Sequence, residues 1–89
     1  MLESTIEKKV SDHAKLLGWL SYKFTSPSNR AVPDRIYFRE GTTILIEFKQ
    51  LGKLPTKLQT KVINDLKKEL MHVYVVDDVQ QGKDIFNAY

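Results

Sequence analysis

The 89-residue sequence has no cysteine. That excludes a disulfide-stapled secreted miniprotein, a thiolate zinc site and a cysteine nucleophile. It also suits the reducing, cytoplasmic interior of a cell. There are only two histidines, His13 and His72, in no motif spacing, so a histidine-rich metal site is excluded too. Any metal would have to sit on carboxylate oxygens, which favours Mg²⁺ or Mn²⁺. No apolar run approaches the roughly 18 residues that span a bilayer, so no membrane role is expected. The first twenty residues mix Glu, Lys and Asp with aliphatics and do not read as a signal peptide. Repeats, low-complexity tracts and linkers are also missing. A chain of this length is expected to form one domain, 1–89, with a thin core.

What is present is an ordinary globular balance, 42% hydrophobic and 28% charged. Fourteen Lys and Arg against eleven Asp and Glu give a formal +3. The excess is concentrated in residues 51–71, where Lys53, Lys57, Lys61, Lys67 and Lys68 face only Asp65 and Glu69. A basic middle fits a polyanion such as nucleic acid, although a solvated helix face has the same composition.

Apolar spacing organises the chain. Leu2, Ile6, Val10, Ala14 and Leu17 draw one stripe and predict a helix over 2–17, stopped by Gly18. Leu20, Tyr22 and Phe24 alternate with Ser21 and Lys23, which predicts a strand over 19–24 with the aromatic face inward. Residues 25–30 (TSPSNR) are turn chemistry. Pro33 keeps Val32 extended and leads into a strand over 34–39, closed by a tight turn at Glu40-Gly41. The run 43–49 (TILIEFK) reads as a central strand. After Gly52, Pro55 suits the first turn of a helix carrying Leu58, Val62, Leu66 and Leu70. Residues 72–76 (HVYVV) form a buried-type strand, and Asp77 or Asp78 caps a last helix ending near Phe86. The order is α-β-β-β-α-β-α, an α/β fold with a small mixed sheet flanked by helices.

One strand carries residues that structure alone does not need. Leu45, Glu47 and Lys49 share a face of the central strand, and a carboxylate and an ammonium are costly to bury there. An isolated E-x-K is ordinarily a solvated surface pair contributing little. Val32-Pro33-Asp34 changes that reading, because an acid at the start of the preceding strand can converge with Glu47. Two carboxylates can hold a divalent ion that acidifies a bound water, and a lysine alongside can orient that water or stabilise developing charge.

Proline-Asp, twelve residues, then E-x-K is the signature of the PD-(D/E)XK nuclease superfamily. Ser4-Thr5-Ile6-Glu7, Gly18-Trp19, Lys23-Phe24, Val32-Pro33-Asp34-Arg35-Ile36, Ile46-Glu47-Phe48-Lys49, Gly52-Lys53 and Pro55-Thr56-Lys57-Leu58-Gln59 together resemble the virus-type replication–repair nuclease (VRR-NUC) family, most of all its stand-alone phage-type members. The likeness runs from Glu3 to about Asp77. It implies a minimal restriction-endonuclease-like core. It also implies that Asp34, Glu47 and the Phe48 backbone carbonyl ligate Mg²⁺ or Mn²⁺, and that Lys49 positions the attacking water. Glu7 would complete the acidic cluster directly or through water, and Gln59 would face the site from the second helix. Glu3 is the rival helix acid. The family cuts DNA, and its stand-alone members resemble Holliday-junction resolvases acting as homodimers.

One departure stands out: Ala31 precedes Val-Pro-Asp where many members carry Gly, and Ala does not take positive φ cheaply. Lys53 is a candidate phosphate contact, and Lys23, Ser26, Arg30, Arg35 and Lys57 are candidates to line a DNA groove. Neutralising three acids leaves eight against fourteen bases, a residual +6 facing DNA. The expectation is therefore a metal-dependent endonuclease for branched or structured DNA. Its rival is a nucleic-acid-binding module that keeps the fold without catalysis, whose signature would be loss of Asp34, Glu47 or Lys49; all three are present.

Overall fold

A computed structural model describes all of residues 1–89. The chain runs α1 (Glu3–Leu16), β1 (Leu20–Lys23), β2 (Arg35–Arg39), β3 (Thr42–Phe48), α2 (Lys57–Lys68), β4 (His72–Val76) and α3 (Val79–Asn87). This is the α-β-β-β-α-β-α order expected from the apolar spacing. The sheet order is β1-β2-β3-β4, with β1–β2 and β2–β3 antiparallel and β3–β4 parallel. No helix is long and apolar enough to cross a membrane.

α1 buries Ile6, Val10 and Ala14, spaced by four, against one face of the sheet. It ends in a Schellman turn: Trp19 N–H reaches Ala14 O, Gly18 N–H reaches Lys15 O, and Gly18 takes φ 91°. α3 shares this face. Its Gly82 lies so close to α1 that a Cβ there would stand 2.5 Å from the Val10 side chain. Between helices and sheet lie Tyr37, Ile44, Ile46, Phe48, Val76 and Phe86. Fully burying each of these large side chains contributes roughly 1.5–3 kcal/mol. A smaller cluster of Leu45, Ile63 and Val73 sits under α2 on the opposite face.

Three expectations need correction. In β1 the aromatic side is the exposed one: Leu20 is 54% and Tyr22 59% exposed. α2 lies against β4, so Phe24 and Ile36 pack at the edge of the cluster beneath it while Leu20, Tyr22 and Phe38 stay uncovered, whereas α1 lies over the Ser21 and Lys23 side. Pro55 stands before the helix, because Thr56 caps α2. Leu58 and Leu70 of the predicted stripe stay exposed, and α2 buries Val62 and Ile63 instead. Leu70 is spent on the helix end, where it takes φ 63° in a second Schellman turn. Ala31, by contrast, needs no positive φ; it is buried, and its N–H reaches Asn29 Oδ1 at 3.0 Å.

Candidate active site

β2 and β3 are joined by Glu40 and Gly41, both at positive φ, and this two-residue turn sets the register Arg35↔Ile46. One step further on, Asp34 lies opposite Glu47, and cross-strand partners share a face. Pro33 has no N–H to continue the ladder, so the strands part there. The Asp34 side chain bridges the gap: its Oδ2 accepts Phe48 N–H at 2.8 Å, while its backbone carbonyl, on the β1 side, accepts Phe24 N–H at 2.9 Å. Lys49 N–H points the other way, to Val76 O in β4. Directions alternate along a strand, so both the N–H and the carbonyl of Phe48 point to the Asp34 side.

Glu47 is 2% exposed. Its Oε2 accepts Gln59 Nε2 at 2.9 Å and pairs with Lys49 Nζ at 3.1 Å. Its Oε1 is buried with no partner. Burial, and secondly the Asp34 charge, push its pKa up from 4.5 to about 7 against the pull of Lys49. Burial likewise raises the Asp34 pKa, opposed by the Phe48 N–H and reinforced by Glu7. An unpartnered buried carboxylate oxygen, beside a second carboxylate and a carbonyl on the same edge, is a donor set of hard oxygens suited to a Mg²⁺-like cation.

Gln59 holds two partners at once. Its Oε1 accepts Thr56 N–H at 2.9 Å, while Thr56 Oγ1 accepts Gln59 N–H at 3.2 Å, a reciprocal capping box. The cap therefore orients the amide so that Nε2 faces Glu47.

The third acid, Glu7, is held by contacts of its own. No three Asp, Glu or His side chains converge into one metal-binding group. Glu7 lies near enough to raise the Asp34 pKa, yet its own carboxylate is engaged by bases. Lys23 Nζ stands 2.7 Å and Arg35 Nε 2.8 Å from the same oxygen, Oε2. The Glu3 charge adds to the rise in the Glu47 pKa. α1 thus carries both acids to the site's rim.

Of the candidate DNA contacts, Ser26 and Arg30 line a hollow of about 280 Å³ with Phe24, Thr25, Val32 and Asp34. Lys53, between β3 and α2, and Lys57, the first residue of α2, are solvent-exposed. Lys23 and Arg35 border a second hollow, about 260 Å³, with Ser4, Glu7, Lys8, Ser11 and Asp12 and no apolar lining. The largest depression, about 600 Å³ between β4 and α3, holds none of the candidate residues. Sequence reading missed Ser21, which accepts Arg35 NH1 at 2.8 Å, and the Ser11–Tyr37 hydroxyl pair at 2.8 Å. Their signal was available as spacing: Glu7 and Ser11 four apart on a helix, Ser21 and Lys23 two apart on a strand.

A four-stranded mixed sheet with P-D and E-x-K meeting where β2 and β3 part is the architecture of a PD-(D/E)XK nuclease. No protein-family model matches the chain. Over 87 residues it is 38% identical to "Putative nuclease p44" of Acyrthosiphon pisum secondary endosymbiont phage 1, covering 97% of this chain and 92% of that protein. Its fold matches a solved VRR_NUC domain with TM-score 0.89, over 98% of this chain and 96% of the other, at 21% identity. The chain belongs to the virus-type replication–repair nuclease family, as a phage-type member.

Proposed function

We propose that this chain is a metal-dependent DNA endonuclease that hydrolyses phosphodiester bonds in branched or structured DNA, such as Holliday junctions. The observation that carries the reading is Glu47: a buried carboxylate with one oxygen held by Lys49 and Gln59 and the other left without a partner. Asp34, Glu47 and the Phe48 carbonyl would hold the ion, with Glu7 completing the set directly or through water. Bound there, Mg²⁺ or Mn²⁺ supplies Lewis acidity and a water acidic enough to attack at neutral pH. Gln59 fixes the plane of the Glu47 carboxylate. Lys49, on the same strand face, orients the attacking water and offsets charge developing on the phosphate. Lys53, Lys57, Lys23, Ser26 and Arg30 would supply donors for flanking phosphates.

The same reading makes the enzyme a homodimer. Leu20, Tyr22 and Phe38 form an uncovered apolar face on β1 and β2, of the kind a second copy would bury. Light scattering after gel filtration should return twice the chain mass, and Tyr22→Lys should return one. A monomeric unaltered chain ends the dimer proposal.

The main test is incubation of supercoiled plasmid and a four-way junction with Mg²⁺ or Mn²⁺. Cleavage is expected, abolished by EDTA. Lys49→Ala should lower it by about a hundredfold or more, as loss of a transition-state stabiliser does, with DNA binding kept. Binding without cleavage in any metal would instead establish the non-catalytic module.

A further inference from the structure

Two cations meet Glu7 Oε2, and they are held very differently. Lys23 has a side chain 64% exposed and no second anchor. Arg35 is 22% exposed, and its guanidinium is fixed at both ends, Nε on Glu7 Oε2 and NH1 on Ser21 Oγ, each at 2.8 Å. The anchoring continues inward. Tyr37, two residues along β2 and fully buried, bonds Ser11 on α1 one turn beyond Glu7. Ser21 also touches the Tyr37 hydroxyl, whose pKa burial pushes up to about 12. Three polar pairs thus interlock from three elements: Glu7 and Ser11, Ser21 and Lys23, Arg35 and Tyr37.

From this geometry we infer that Arg35 is a positioning residue for Glu7, and that only Lys23 of the pair contacts DNA. The inference rests on the metal-dependent reading above. A planar guanidinium clamped between Ser21 and Glu7 fixes the carboxylate's rotation, which a point charge on a flexible stem does not. It takes one oxygen and leaves the other for a second partner. Arg35 follows Asp34 directly but lies on the α1 face, paired with Ile46, so one stretch of strand sets both acids. Lys23, exposed and singly held, can release Glu7 and take a phosphate.

The test separates the two cations by two readouts that need no turnover. One is Mn²⁺ affinity by calorimetry on the DNA-free protein. The other is the salt dependence of four-way junction binding in EDTA. Arg35→Gln should weaken Mn²⁺ about tenfold, the usual cost of losing a residue that orients a ligand, and leave the salt slope unchanged. Lys23→Gln should make the slope shallower by about one and not weaken Mn²⁺. Arg35→Lys keeps the charge but cannot bridge Glu7 and Ser21, so it should restore Mn²⁺ affinity only in part. If Arg35→Gln fails to fold, Ser21→Ala, which leaves the ion pair intact, should show a smaller loss in the same direction. A shallower slope in Arg35→Gln with Mn²⁺ affinity unchanged makes Arg35 a phosphate contact and overturns the inference. An unaltered chain that takes up no Mn²⁺ overturns the metal reading itself, a result distinct from the first because there the parent protein binds.

Discussion

Gln59 Nε2 lies 2.9 Å from Glu47 Oε2 while Gln59 Oε1 accepts the N–H of Thr56. One side chain thus caps α2 and restrains the buried carboxylate, and the two jobs can be separated. Gln59→Glu keeps an acceptor for Thr56 but exchanges the donor for a second negative charge beside Glu47. It should cost at least about tenfold in Mn²⁺-dependent cleavage at neutral pH, the scale of a lost hydrogen bond to a charged group. Thr56→Ala should do the reverse. It removes about 1 kcal/mol of stability by losing the cap, read as a lower midpoint in urea, with a far smaller effect on cleavage.

The pKa of Glu47 makes stability depend on pH in a defined direction. Its folded value of about 7 exceeds its unfolded 4.5, so between these values the folded chain binds more protons than the unfolded one. Stability from this group is therefore complete below about pH 4.5 and is lost as pH rises through about 7. The difference is on the order of 3 kcal/mol. Glu47→Gln, which never ionises, should melt higher than the parent at pH 8 and close to it at pH 4. Equal melting temperatures at both values would show that the carboxylate is not strained by burial.

Much of this was legible in the sequence because local rules and tertiary packing agree. The Ile6, Val10 and Ala14 part of the α1 stripe, the Glu40-Gly41 turn, the 72–76 strand and a cap at Asp77 or Asp78, which falls to Asp78, follow from spacing and turn chemistry, whereas Leu2 and Leu17 at the ends of that stripe stay exposed. Asp34 and Glu47 were legible as a pair because a two-residue turn leaves one register for them. The β1 face was misread because alternation says that two faces differ, not which one a helix will cover. Leu20 and Tyr22 are apolar yet bare, since α2 lies over β4 and Ser21 meets Arg35 beneath α1. The placement of Glu7 was unreadable for a related reason: it stands on a helix and its partners Lys23 and Arg35 come from two different strands.

Two backbone positions should respond oppositely to glycine chemistry. Gly82→Ala raises helix propensity by about 1 kcal/mol, yet its Cβ would meet the branched Val10 side chain at 2.5 Å and Val76 at 3.2 Å. Overpacking of this kind costs about 1–3 kcal/mol, so the variant should be less stable than the parent. Leu70 is 85% exposed and holds φ 63°. Leu70→Gly should stabilise by about 0.5–1 kcal/mol, because the left-handed conformation strains a branched side chain and not glycine. Urea melts of the two variants should shift in opposite directions.

Lys53 and Lys57 test whether the basic middle of the chain meets DNA or only solvent. Both are exposed and neither forms an ion pair, so their removal breaks no internal ion pair and should leave the stability within about 0.5 kcal/mol of the parent. If each neutralises one phosphate, the plot of log affinity against log salt for a four-way junction becomes shallower by about one per lysine removed. The double variant Lys53→Ala, Lys57→Ala should therefore lose about two units of slope and bind more weakly at low salt, with cleavage restored at saturating DNA. Lys67→Ala, Lys68→Ala supplies the control: these two lysines stand in the last turn of α2, where they favour the helix dipole, and should leave the slope alone. A slope that falls equally in both double variants would mean a diffuse positive field and no docking at the β3–α2 connection.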